Sequence, residues 1–149
     1  MKLLLTLLVM LTLATAQDTK MAAPSADATK AFIEYFNTGS DAVLFDAKLT
    51  SKVVDSMPTD EITEITAGSV VSIWVKFMMP KNSTDNSYKA VFKKGDTTLK
   101  TKTFELTGGE WGNMGYRSWS SKGLHSAGAY TVEILKGETV VKTFNVTVK

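Results

Sequence analysis

The residues that could do chemistry in this chain are few, and they crowd into one stretch. Gly115 to Ile134 reads GYRSWSSKGLHSAGAYTVEI and contains Arg117, Trp119, Ser120, Ser121, Lys122 and His125, the single histidine. One histidine builds no multi-histidine metal site, and beside a glycine-rich turn it reads as a loop residue rather than a catalytic base. A Ser-Lys nucleophile needs a nonpolar pocket that lowers the lysine pKa. Lys122 sits at a turn, where a lysine is solvated, so Ser120, Ser121 and Lys122 earn no catalytic assignment. The absence of cysteine excludes disulfides, thiolate metal sites and cysteine nucleophiles. Asp60-Glu61 with Glu64, and Glu105 with Glu110, are carboxylate pairs. Glycoside hydrolysis needs two such groups facing one another across a cleft, and solvated surface carboxylates are the simpler reading. Met78, Met79 and Met114 with His125 would suit copper. Met78 and Met79 are adjacent on a strand, so they point to opposite faces and read as core filler. No catalytic residue, cofactor or metal is expected.

The aromatic residues offer a different chemistry. Trp111 lies in Gly-Gly-Glu-Trp-Gly-Asn-Met-Gly. With Asn113, Tyr116, Arg117 and Trp74 it could stack on a sugar ring or anchor a protein partner. In the competing and more frequent outcome for a large aromatic, Trp111 folds back as a plug over one end of the fold. By strand parity Trp74 falls on an outer face, while Trp119 is expected in the core.

These residues need elements to hold them. From Asp41 onward the apolar period is two, which marks strands. In AVLFDAKLTSKVV the positions Val43, Phe45, Ala47, Leu49 and Val53 alternate with Leu44, Asp46, Lys48, Thr50 and Lys52. In SVVSIWVKFMM the face Val71, Ile73, Val75, Phe77, Met79 is wholly apolar, as in a central strand. Tyr88 to Lys93 and the Thr/Lys-rich run Thr97 to Leu106 flank the turn Lys94-Gly95-Asp96. Tyr116 to Ser121 and Gly128 to Leu135 are strands. Lys136-Gly137-Glu138 turns into a last strand with Val140, Phe144, Val146 and Val148 on one face. Seven or eight strands without βαβ helices give an all-β class, an antiparallel sandwich of immunoglobulin or fibronectin type over residues 41–149, lacking any disulfide.

Residues 1–16 read as a secretory signal peptide: Lys2, the apolar run Leu3 to Leu13, and the small-x-small site Ala14-Thr15-Ala16. Residues 17–40 read as a flexible leader, in which Phe32, Tyr35 and Phe36 form either a short helix or an extra strand. A secreted or periplasmic chain, not inserted in the membrane after cleavage, is expected. Seventeen basic against fifteen acidic side chains give no electrostatic footprint for nucleic acid. Asn82-Ser83-Thr84 and Asn145-Val146-Thr147 match the N-glycosylation pattern, which has meaning only in a eukaryotic secretory pathway.

Arg117-x-Trp119-Ser120-Ser121-Lys122, followed by a Gly-x-aromatic-x-Val strand and a terminal Phe-x-Val strand, resembles the bacterial domain of unknown function 2914 family. Val53-Val54-Asp55 with Pro58 and the strand Val70 to Met79 also look like it. The likeness covers about residues 42–149, most specifically Trp119 to Lys122. The middle strand departs from it, with Tyr88-Lys89-Ala90 in place of a His-Arg-Trp-like tripeptide. The resemblance implies a β-sandwich in an exported bacterial protein and no activity. The expectation is a non-enzymatic binding or structural module that meets a protein partner through an edge strand or an exposed aromatic loop. The alternative is a carbohydrate-binding module using Trp111, Tyr116 and Trp74.

Overall fold

The computed structural model describes residues 22–149, so the signal-peptide reading of residues 1–16 lies outside the described residues. The first element is helix α1 (Ala26–Thr38). It begins earlier than the aromatic spacing alone suggests, because the Ser25 side chain accepts a hydrogen bond from the Ala28 N–H and caps the free end. Twelve strands follow among the described residues: β1 (Val43–Thr50), β2 (Val53–Val54), β3 (Met57–Pro58), β4 (Glu64–Ile65), β5 (Val70–Met79), β6 (Thr84–Asp85), β7 (Tyr88–Lys94), β8 (Thr97–Thr103), β9 (Leu106–Thr107), β10 (Asn113–Gly123), β11 (Gly128–Lys136) and β12 (Thr139–Val148).

Seven long strands make two sheets. One has the order β1-β5-β10 and the other β4-β12-β11-β7-β8. The long strands therefore cross between sheets after β5, β8 and β10, with short β4 a further excursion between β1 and β5, which is the immunoglobulin and fibronectin type of sandwich. Only β4 pairs in parallel, along the end of β12. The core lies between the sheets and joins Ala47, Leu49, Val71, Ile73, Val75, Phe77 and Met79 to Ala90, Phe92, Tyr130, Val132, Ile134, Val146 and Val148. Tyr88 lies in it with its ring against Phe77 at 4.9 Å, and burial pushes its phenol up to about 12. Tyr130 is the corner residue between sheets: its hydroxyl donates to the Ser126 carbonyl at 2.7 Å. The Lys94 ammonium closes that corner on Ser126 Oγ and the Ala127 carbonyl.

Each break in strand register puts its extra residue on a strand at or next to a sheet edge. Register shifts fall at Phe45 in β1, Leu99 in β8, Met114–Gly115 in β10 and Val141 in β12. The β7–β11 ladder runs without one. Bulges are common at edges because the extra residue there disrupts one ladder instead of two. Two parity expectations change for this reason. The bulge at Phe45 turns Leu44, not Val43 or Phe45, onto the core face beside Phe77. The bulge at Val141 pairs Val140 with Leu135 off the core and leaves it 47% exposed.

The outer face of the three-stranded sheet is partly covered by the chain itself. β2 and β3 form a small hairpin whose turn residues Asp55 and Ser56 have φ of 50° and 61°, as a type I′ turn requires. The Asp60 carboxylate ties its base, accepting from Thr50 Oγ1, from the Ser51 N–H at 2.8 Å and from Ser51 Oγ. Those hydrogen bonds hold Asp60 below the ordinary carboxylate value. Helix α1 docks on the same sheet, with Phe32 stacked on Phe45 at 6.3 Å and the Phe36 carbonyl accepting from the Lys81 N–H.

Candidate binding surface

β10 is the strand that carries most of the residues singled out in the sequence, and it sits at an edge, paired only with β5. Register fixes which way each side chain points. Ser118, Ser120 and Lys122 stand opposite Val75, Ile73 and Val71, so they share the core-facing side. Arg117, Trp119 and Ser121 stand opposite Lys76, Trp74 and Ser72, so they share the outer face. Ser72 and Ser121 close one row with a 2.6 Å hydroxyl pair. Arg117 and Lys76 face each other as like charges, and neither makes an ion pair among the described residues.

The two tryptophans of the next row exchange their expected places. Trp74 does lie on the outer face, yet it is 2% exposed, because the β2–β3 hairpin covers it and the Ser56 carbonyl accepts from its Nε1 at 2.9 Å. Trp119, expected in the core, is 43% exposed beside it. Nothing in the local pattern of either strand encodes the hairpin that decides between them.

Trp111 is 78% exposed, so it is no plug. Backbone hydrogen bonds and close packing pin its loop without burying the indole. The Asn82 N–H donates to the Gly109 carbonyl at 2.7 Å and the Gly108 N–H to the Ser83 carbonyl at 2.9 Å. A Cβ on Gly108 would lie 2.0 Å from the Pro80 carbonyl oxygen, and one on Gly112 would lie 2.5 Å from Phe36 Cζ. Backbone packs where side chains would stand, and the indole is left outside. Asn113 is exposed, with its Oδ1 accepting from the Gly115 N–H to shape the bulge. Tyr116 turns inward against the core, and its hydroxyl donates to the Glu105 carbonyl at 3.2 Å.

The five proposed contact residues therefore do not share one surface. Trp111 and Asn113 lie in and just after the loop that opens β10, Arg117 is on the outer face, Tyr116 packs inward and Trp74 is covered. Trp119 was missed as a surface residue, although its i, i+2 relation to Arg117 puts the two on one face. Met114, 46% exposed, was missed as well. Ser120 and Lys122 share a face, but the Ser120 hydroxyl is buried without any hydrogen-bond partner, so no Ser-Lys hydrogen bond is formed. His125 is exposed in the loop after β10. Among the described residues no three His, Asp or Glu side chains converge, and no helix is long and apolar enough to cross a membrane.

No protein-family model matches the chain, and no curated protein sequence does. The family likeness thus rests only on the sequence features quoted for it, while the sandwich it implies is the fold observed. Among solved structures the chain is similar to an immunoglobulin-like protein from Pseudomonas aeruginosa, with TM-score 0.49 and 8% identity over 74% of this chain and 98% of that one. It is also similar to the CARDB domain of a Pyrococcus furiosus protein, with TM-score 0.41 and 15% identity over 73% of this chain and 96% of that one.

Proposed function

We propose that this chain is a non-enzymatic binding domain of an exported protein and that it engages a protein partner along β10. One observation carries the reading: β10 is a long edge strand that combines an open hydrogen-bonding side with exposed Trp119 and Met114, and with Trp111 at its entrance. Exposed apolar edge strands invite pairing unless they are managed, and strand addition is a recurring mode of peptide recognition. The export part rests on Lys2, Leu3 to Leu13 and Ala14-Thr15-Ala16. The non-enzymatic part draws support from the unpaired Ser120 hydroxyl and from Asp60, whose carboxylate is engaged by Thr50 and Ser51. The carbohydrate alternative loses Trp74 and Tyr116 from its platform and keeps Trp111 alone.

The test selects peptides from a random library on protein expressed from the full sequence, then compares their binding to wild type and Trp119→Ala. The expected loss is roughly tenfold or more, as for an anchoring aromatic. Equal binding by the variant, or no enrichment at all, overturns the proposal. A soluble polysaccharide that shields Trp111 from acrylamide while no peptide is enriched moves the assignment to carbohydrate.

A further inference from the structure

The two seams of the sandwich, where the sheets' edges approach, are built alike but charged differently. At each, an inward-pointing lysine reaches across and binds a backbone carbonyl of the opposite edge strand. Lys142 of β12 donates to the Ala47 carbonyl of β1 at 3.2 Å. Lys100 of β8 donates to the Ser121 carbonyl of β10 at 2.7 Å. At the first seam Lys142 makes no ion pair either, but an acidic neighbour is present: the Glu61 carboxylate, paired with Lys48 at 2.8 Å, is held low by Lys48 and to a lesser degree by Lys142.

The second seam is not compensated. Lys100 and Lys102 stand opposite Phe92 and Ala90, so both take the core-facing side of edge strand β8. Lys122 takes the core-facing side of edge strand β10. None of the three has a carboxylate within ion-pair distance among the described residues, whereas Lys48, Lys89, Lys93, Lys136 and Lys149 each have one. The nearest acidic residues in sequence are Asp96 and Glu105, both exposed off the two ends of β8, and Glu133, which is paired with Lys93. On the same inner side of β10 Ser120 is 5% exposed and its hydroxyl has no partner. A buried hydroxyl without an acceptor is a cost that an incoming acceptor removes.

The backbone of β10 completes the site. Residues of an antiparallel strand direct their N–H and C=O alternately to the two sides. The Ser121 carbonyl faces Lys100, away from β5, so the Arg117 and Trp119 backbone groups face the same open side. Neither makes a hydrogen bond outside the β5 ladder among the described residues.

From this geometry we infer that β10 accepts an extended peptide segment with carboxylates at alternate positions, paired to the open amides of Arg117 and Trp119. This rests on the reading of β10 as a docking edge. The segment's acidic row points into the seam toward Lys100, Lys102, Lys122 and the Ser120 hydroxyl. Its other row is apolar and packs beside Trp119 on the outer face. Lys100 exchanges the Ser121 carbonyl for a carboxylate, a stronger charge-assisted bond.

The test uses synthetic peptides of about twelve residues, close to the length of β10, that alternate Val with Glu, with Gln or with Lys. Binding is followed by tryptophan fluorescence, and the Arg117 and Trp119 amides by hydrogen exchange. The Glu peptide is expected to bind about tenfold tighter than the Gln peptide and to weaken with salt, and the Lys peptide not to bind. Both amides become protected, and the preference disappears in the Lys100→Gln/Lys122→Gln double variant, whose folding is checked by its melting curve. Equal affinity for Glu and Gln peptides, with both amides protected, overturns the acidic assignment and leaves the docking edge standing. Absence of amide protection with every peptide overturns the docking edge itself.

Discussion

The two outer faces of this sandwich handle exposure in opposite ways. On the middle of the five-stranded sheet, outward side chains pair with one another, while Val140 at the start of β12 stays half-exposed. Lys93 pairs with Glu133 at 3.1 Å and Lys89 with Glu138 at 2.9 Å. Val91 lies between Lys89 and Lys93 on this face and is 8% exposed without belonging to the core between the sheets. On the three-stranded sheet the cover is built from separate pieces of chain. α1 docks through Phe32, and the β2–β3 hairpin shields Trp74. The cover stops before β10, where Trp119 stays half open beside Arg117. A face covered by its own cross-strand pairs needs nothing more, whereas a face covered by folded-over segments has a boundary. The exposed aromatic lies at that boundary.

Cover and boundary should differ most at neighbouring tryptophans. Trp74→Ala removes a fully covered indole and its bond to Ser56, and should cost about 3–5 kcal/mol in denaturant unfolding. Trp119→Ala, one strand away, should cost within about 1 kcal/mol. Similar costs for the two would mean that the hairpin does not cover Trp74 in solution. On the other sheet, Val91→Ser should cost about 1–2 kcal/mol by the same measurement, because its neighbours keep it dry. A negligible cost would show that face to be wetter than its register implies.

Smaller effects sharpen the picture of how the hairpin is held. The pKa of Asp60 is lowered from 3.8 by hydrogen bonds from Ser51 and Thr50. A depressed carboxylate contributes stability above its unfolded value and loses it as pH falls through the folded value. The hairpin should therefore be intact at neutral pH and loosen below about pH 4, with Trp74 fluorescence reporting the change. Asp60→Asn should remove that pH dependence and cost about 1 kcal/mol or less, since the group is exposed and screened. A double-mutant cycle on Lys93 and Glu133 should return the least, about 0.2–0.5 kcal/mol.

What could be read from sequence followed from hydrogen-bonding context. β5, β7 and β11 pair on both sides, and each keeps an unbroken alternation of core residues, the one on β5 as expected. Val71, Ile73, Val75, Phe77, Tyr88, Ala90, Phe92, Tyr130, Val132 and Ile134 all belong to the core. Gly95 and Gly137, with φ of 57° and 60°, turn the chain where the sequence places hairpins. The Tyr130 corner was not read from the sequence; its hydroxyl finds the Ser126 carbonyl only in the fold.

Only the tertiary structure decided the rest. On edge strands a single extra residue reverses parity, and composition does not announce it, so Leu44 and Val140 changed faces. Trp74 and Trp119 differ because a hairpin from elsewhere in the chain lies over one and not the other. The unpaired lysines at the β8–β10 seam emerge only when strands distant in sequence meet. Periodicity records which neighbours a residue has along its own strand. Cover, bulges and charge balance depend on segments that no local window contains.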